Sequence, residues 1–140
     1  MTLPEIEDIK IMITNAFEKQ DLAVLIYGHG YYKDSASRLY YAVFYVLSAL
    51  LFTKGLNYAS HHQVIGAINR EFVKTGIFPQ NFKKKIEALF NSRQAGDYEL
   101  KSTITKEDVD FLMVDTEEII QQGLIYLQKL YQVSPDFWKK

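Results

Sequence analysis

Apolar residues recur at helical spacing along the whole chain. From Leu3 to Tyr27 they fall at Ile6, Ile9, Ile13, Phe17, Val24 and Tyr27, which predicts a first helix. Gly28-His29-Gly30 then interrupts the pattern. A second helix is expected from about Asp34 to Thr53, with Asp34 or Ser35 as its N-cap and Gly55 just past its end. After Arg38 this segment is apolar on nearly every face, so it should be the central helix, surrounded by the others.

Ser60-His61-His62-Gln63 reads as a capping box, in which the serine oxygen takes the Gln63 amide and Gln63 reaches back to the Ser60 amide. It opens a third helix with Val64, Ile65, Ile68 and Phe72 inward and Gly76 at its end. Pro79 suits the first turn of a fourth helix, where its missing N–H costs nothing. Phe82, Ile86, Leu89 and Phe90 share one face of that helix and Lys83-Lys84-Lys85 lie on the other, with Gly96 expected at C′. Thr105-Lys-Glu-Asp108 starts a fifth helix, carrying Val109, Leu112, Thr116, Ile119, Gly123, Tyr126 and Leu130 toward Gln132. A short aromatic tail, Phe137-Trp138, follows Pro135.

No strand-like alternation, internal repeat or low-complexity linker interrupts this series. The expected fold is all-α, an up-and-down helical bundle of about five helices. Residues 1–132 are expected to form a single domain and 133–140 a short C-terminal tail. The most apolar run, Leu39 to Phe52, is shorter than the roughly 20 residues a bilayer span requires, so a buried core helix is expected and no membrane partner.

Composition narrows function mainly by exclusion. The formal net charge is −1, so no global field draws the chain to nucleic acid or acidic lipid, and any such contact needs a local patch or one doubled by dimerisation. With no cysteine there is no disulfide, thiolate metal site or cysteine nucleophile. Met1-Thr-Leu-Pro-Glu5 lacks a basic stretch followed by an apolar one, so the cytoplasm is the expected location. Fourteen per cent aromatic content and the apolar tail leave surface to hide, which makes a homodimer the expected state.

Few groups could carry chemistry. His29 sits in a glycine turn and reads as solvated. His61 and His62 are adjacent, so on a helix they diverge by about 100° and cannot chelate one metal as an i, i+4 pair would. No metal site and no cofactor are expected, and neither a phosphate loop nor a nucleophile elbow occurs. Arg38, Tyr41 and Tyr45 share a stripe at i, i+3 and i+7. That stripe can be an Arg38–Asp34 pair with packed tyrosines, or a phosphate and base contact. The lysine run Lys83–Lys85 is a basic strip two to three turns before Arg93 on the same helix.

Ser37-Arg-Leu-Tyr-Tyr-Ala-Val-Phe44, then Ser60-His61, then Asn69-Arg-Glu-Phe-Val-Lys-Thr-Gly76, then Arg93-Gln-Ala-Gly-Asp-Tyr98, taken in this order and spacing, resemble the HEPN domain family (higher eukaryotes and prokaryotes nucleotide-binding) over nearly the whole chain. The resemblance implies an α-helical, usually homodimeric bundle. Its members include RNA-cleaving toxins and non-catalytic nucleic-acid or nucleotide-binding modules, many encoded beside a minimal nucleotidyltransferase acting as antitoxin. Ribonuclease members carry an Arg-x4-6-His motif. Arg93 matches that arginine, but Tyr98, Glu99 and Leu100 fill the histidine window, and no histidine follows His62. The chain carries R-x-x-x-D-Y instead.

Two readings follow. In the first, the protein binds RNA, a nucleotide or a nucleotidyltransferase partner through Arg38, Tyr41, Tyr45, His61, Arg93 and Asp97, without cleavage. In the second, it is a metal-independent ribonuclease toxin using Arg93 with Asp97, Tyr98 and His61. The missing motif favours the first, since tyrosine, with a pKa near 10, is a poor base at neutral pH. Against both stands a purely structural Arg93–Asp97 pair at a helix end.

Overall fold

The computed structural model describes residues 2–98 and 103–139 and, within these, every side chain except those of residues 96–98. Five α-helices form an up-and-down bundle: α1 (Ile6–Gly28), α2 (Tyr32–Phe52), α3 (His61–Ile68), α4 (Phe82–Tyr98) and α5 (Lys106–Tyr131). No strand occurs among the described residues.

The second helix is central, as its all-round apolarity requires: α2 touches α1, α3, α4 and α5. Leu39, Tyr40, Val43, Val46, Leu47, Leu50 and Leu51 are all buried. By length and composition alone α2 could cross a membrane, but 67% of its most apolar window is buried inside the bundle.

Several helix boundaries differ from expectation. α2 starts at Tyr32, two residues before Asp34, because the Ser35 N–H already bonds the Tyr31 carbonyl at 2.9 Å. Asp34 therefore sits in the first turn, where its charge favours the helix dipole. Ser35 is no cap either: its buried hydroxyl donates to the Ala23 carbonyl at 2.8 Å and ties α2 to α1. Only half of the expected box opens α3, the Gln63 N–H donating to Ser60 Oγ at 3.5 Å. After Ile68 the helix widens into a π-turn, Asn69–Val73, in which the Lys74 N–H reaches the Asn69 carbonyl at 2.8 Å. Gly76 then takes φ +83° while the Phe78 N–H folds back to the Phe72 carbonyl at 2.9 Å.

Pro79 is not in the first turn of α4. It shapes the entry turn, its carbonyl accepting from the Phe82 N–H at 3.1 Å. At the other end α4 runs through Gly96 to Tyr98, so Gly96 is not C′: glycine permits a helix to stop without imposing it. The lysine strip is also incomplete. Lys83 and Lys84 are exposed, but Lys85 is half-buried and bonded to Glu118, with Asp115 3.8 Å away on α5.

α5 opens with the full expected box: the Asp108 N–H donates to Thr105 Oγ1 at 3.2 Å and the Thr105 N–H to Asp108 Oδ2 at 2.9 Å. A Cβ on Gly123 would stand 2.6 Å from Val46 Cγ1, so glycine is what lets α5 lie this close to α2. Past α5 a 3₁₀ turn, Pro135–Trp138, packs on α1 and α5 and buries the Trp138 indole.

Candidate functional site

The side chains with chemical potential gather where α2, α3 and α4 meet. On α2, Tyr40 and Tyr41 are consecutive, so one points inward and the other lies at the rim; Tyr40 is fully buried and Tyr41 half-buried. His61 opens α3 below its cap, and Arg93 lies on α4 one turn beyond the buried Phe90.

Arg93 is 91% buried yet faces this cluster: its Nη2 donates to Tyr41 Oη at 2.8 Å, and its guanidinium carbon lies 5.4 Å from the Tyr41 ring centre. Tyr40 Oη and His61 Nδ1 are 2.6 Å apart. The His61 ring packs among Phe44 (4.7 Å between ring centres), Tyr40 (5.4 Å), Phe90 (5.8 Å) and Tyr41 (6.2 Å). His62 meets Phe90 on the outer side at 5.1 Å. An imidazole and a guanidinium thus share one aromatic nest.

The electrostatics set the protonation states. Burial holds the Tyr40 hydroxyl well above the ordinary tyrosine range, outweighing the opposing pull of Arg93. His61 is pushed below the usual histidine value, first by desolvation, then by the positive charges of Arg93 and His62. At neutral pH the tyrosine therefore keeps its proton and His61 is neutral; in the tautomer that carries its proton on Nε2, Nδ1 accepts from the Tyr40 hydroxyl. In that arrangement His61 is a hydrogen-bond donor toward a ligand. Its one basic nitrogen is occupied by Tyr40.

The structure brings together Tyr41, His61 and Arg93. Arg38 stands one turn before Tyr41 on the same stripe, half-buried, and forms no ion pair with Asp34. Tyr45 lies one turn beyond Tyr41 and packs on the core, without a bond to Arg93 or His61. The Asp97 and Tyr98 side chains lie outside the described residues. Tyr40, Phe44 and Phe90 also belong to this cluster, although the sequence does not mark them as site residues. One signal could have found Tyr40: a tyrosine within an otherwise apolar run must give its hydroxyl a partner, and His61 is the polar group at hand. Among the described residues no cluster of His, Asp and Glu could hold a metal ion.

Comparison with known proteins agrees with this architecture. The model described as "HEPN domain" matches residues 9–125, and the chain belongs to that family. A protein of Methanocaldococcus jannaschii named as a candidate toxin is 29% identical over 134 residues, covering 94% of this chain and 86% of its own. A second so named from that organism is 29% identical over 83% of this chain and 86% of its own. A UPF0332 protein of Thermotoga maritima is 46% identical over a shorter stretch, 46% of this chain and 49% of its own.

Proposed function

We propose that the protein is a nucleic-acid- or nucleotide-binding HEPN module of a toxin–antitoxin pair, which works in the cytoplasm as a homodimer beside a minimal nucleotidyltransferase and binds RNA without cutting it. The observation that carries the binding reading is the nest itself. Arg93 presents a planar donor fork against Tyr41, suited to a phosphate, and the half-buried Tyr41 and Phe44 offer ring faces and edges for a base. Arg38 supplies a second cation one turn away. The toxin names of the two M. jannaschii relatives support the toxin–antitoxin setting.

The absence of cleavage rests on the Tyr40–His61 bond. A general base must accept the 2′-hydroxyl proton, and with His61 protonated on Nε2 its accepting nitrogen, Nδ1, is engaged by the Tyr40 hydroxyl 2.6 Å away. One observation favours the alternative, a metal-independent ribonuclease: His61 lies close enough to Arg93 to feel its charge, so the two groups of the missing motif meet through the fold. Asp97 and Tyr98 would be the further groups in that reading.

Titration with labelled single-stranded RNA, beside a denaturant melt and a cleavage gel, tests both. Arg93→Ala should weaken binding by about 1.5–3 kcal/mol through loss of a charge-assisted bond, and Arg93→Lys by less. Asp97→Asn should reduce affinity beyond any change in stability if that carboxylate holds Arg93 for the ligand. Equal affinity of wild type and Arg93→Ala, both folded, would leave residues 91–100 as a helix end only. RNA cleavage that disappears in His61→Ala would establish the enzyme. Sedimentation equilibrium showing only a single-chain species at tens of micromolar would end the homodimer reading.

A further inference from the structure

α5 carries six of the chain's 17 carboxylates against two lysines, a local excess of negative charge in a chain whose formal net charge is −1. The same helix turns Phe111, Val114 and Ile125 to solvent, 72%, 66% and 41% exposed. These three side chains lie within about 60° of one another on the helix surface and extend along roughly 21 Å of it. Val24 of α1, 55% exposed, adds to the same face: it sits between Gln20 and Tyr27, whose side chains reach across to Glu117 (2.6 Å) and Asp110. The two helices are bridged here by polar bonds, and a shallow cleft lined by Glu107, Asp110, Phe111 and Val114 opens beside them.

Carboxylates flank the row. Glu107 is exposed, and Asp110 and Glu117 flank it on the α1 side, with Asp115 and Glu118 on the α4 side. Lys106 meets Asp110, Lys85 meets the Asp115–Glu118 pair and Lys129 stands one turn beyond Ile125, so five carboxylates against three lysines leave the rim net negative. An apolar row within a net negative rim suits a surface of complementary charge.

We propose that this face of α5, with Val24, docks an amphipathic helix of a partner protein whose apolar stripe is flanked by lysines or arginines. The charge selects among occupants. A two-fold-related copy would set the same acidic rim against itself, so a homodimer uses another face. RNA and anionic lipid surfaces are repelled. A basic helix satisfies both the row and the rim, and four turns of it match the length of the row. The face shares no residue with the Arg38–His61–Arg93 cluster.

The test uses the full chain and two labelled helical peptides of about 18 residues. Both carry the same leucine stripe, one flanked by lysines and the other by glutamates, and binding is read by fluorescence anisotropy. The lysine peptide should bind at least about tenfold more tightly than the glutamate peptide. Phe111→Ser combined with Val114→Ser should remove about tenfold of that affinity, with RNA binding unchanged. Glu107→Lys with Glu117→Lys should weaken it several-fold and flatten its salt dependence. All four positions are exposed, and a melt of each variant checks that the fold is kept. Equal binding of the two peptides, or of wild type and the serine variant, would overturn the proposal. So would a serine variant that loses self-association in the ultracentrifuge, or the binding of phosphatidylglycerol vesicles to this face.

Discussion

Replacing Gly123 with alanine should expose how closely α5 is held against α2. The new Cβ would lie 2.6 Å from Val46 Cγ1, whereas carbon atoms at rest stand about 3.5–4.0 Å apart. Val46 is fully buried and β-branched in mid-helix, so it has essentially one rotamer and cannot swing away cheaply. Overpacking of this kind costs about 1–3 kcal/mol, while removing a mid-helix glycine returns about 0.5–1 kcal/mol. Gly66 in α3 separates the two effects, because a Cβ there meets nothing within 4 Å. Gly66→Ala should stabilise by about 0.5–1 kcal/mol, and the two variants should differ by the steric cost alone, about 1–3 kcal/mol. Urea melts at constant m-value measure the difference directly. Adding Val46→Ala to Gly123→Ala should recover part of the loss, giving a favourable coupling in the double-mutant cycle. If Gly123→Ala stabilised the protein as much as Gly66→Ala, the close approach of α5 to α2 would not be fixed by this glycine.

His61 has a folded pKa below its unfolded value, so the native state binds its proton less readily than the unfolded chain; the contribution is fully present above about pH 6.5 and falls away as pH drops below it. Thermal melts between pH 7.5 and 5.5 should therefore show a steeper loss for wild type than for His61→Gln, and parallel curves would refute the assignment. Lys85→Met should cost about 1 kcal/mol through the lost pairs to Glu118 and Asp115, against no more than about 0.5 kcal/mol for the exposed Lys83→Met. Equal melting of these two variants would count against a structural role for Lys85.

The helices were legible in the sequence because each carries a 3.6-residue apolar period, and the Thr105–Asp108 box formed in full. The start of α2 was not, because Tyr31 offers no capping side chain and the two real cap candidates have other roles: Asp34 in the first turn, Ser35 bonded to α1. The lysine run misled for a related reason. Local spacing cannot show that Lys85 meets carboxylates some thirty residues later, which only the α4–α5 packing brings near. The candidate site was legible in its members more than in its wiring. Tyr41, His61 and Arg93 stand out from motif and resemblance, but the bond across 52 residues from Arg93 to Tyr41, and the contact of Tyr40 with His61, are products of packing.

The buried indole of the tail gives the molecule a built-in optical reporter. Trp138 is the sole tryptophan, and it sits in the turn that closes over α1 and α5, not in the helices themselves. Intrinsic emission therefore follows whether that last turn is seated, while far-ultraviolet ellipticity follows the five helices. When the two signals change together, the tail and the bundle melt as one cooperative unit. Where emission shifts to the red first, the tail has lifted from an intact bundle, and the interval between the two transitions measures how firmly it is latched.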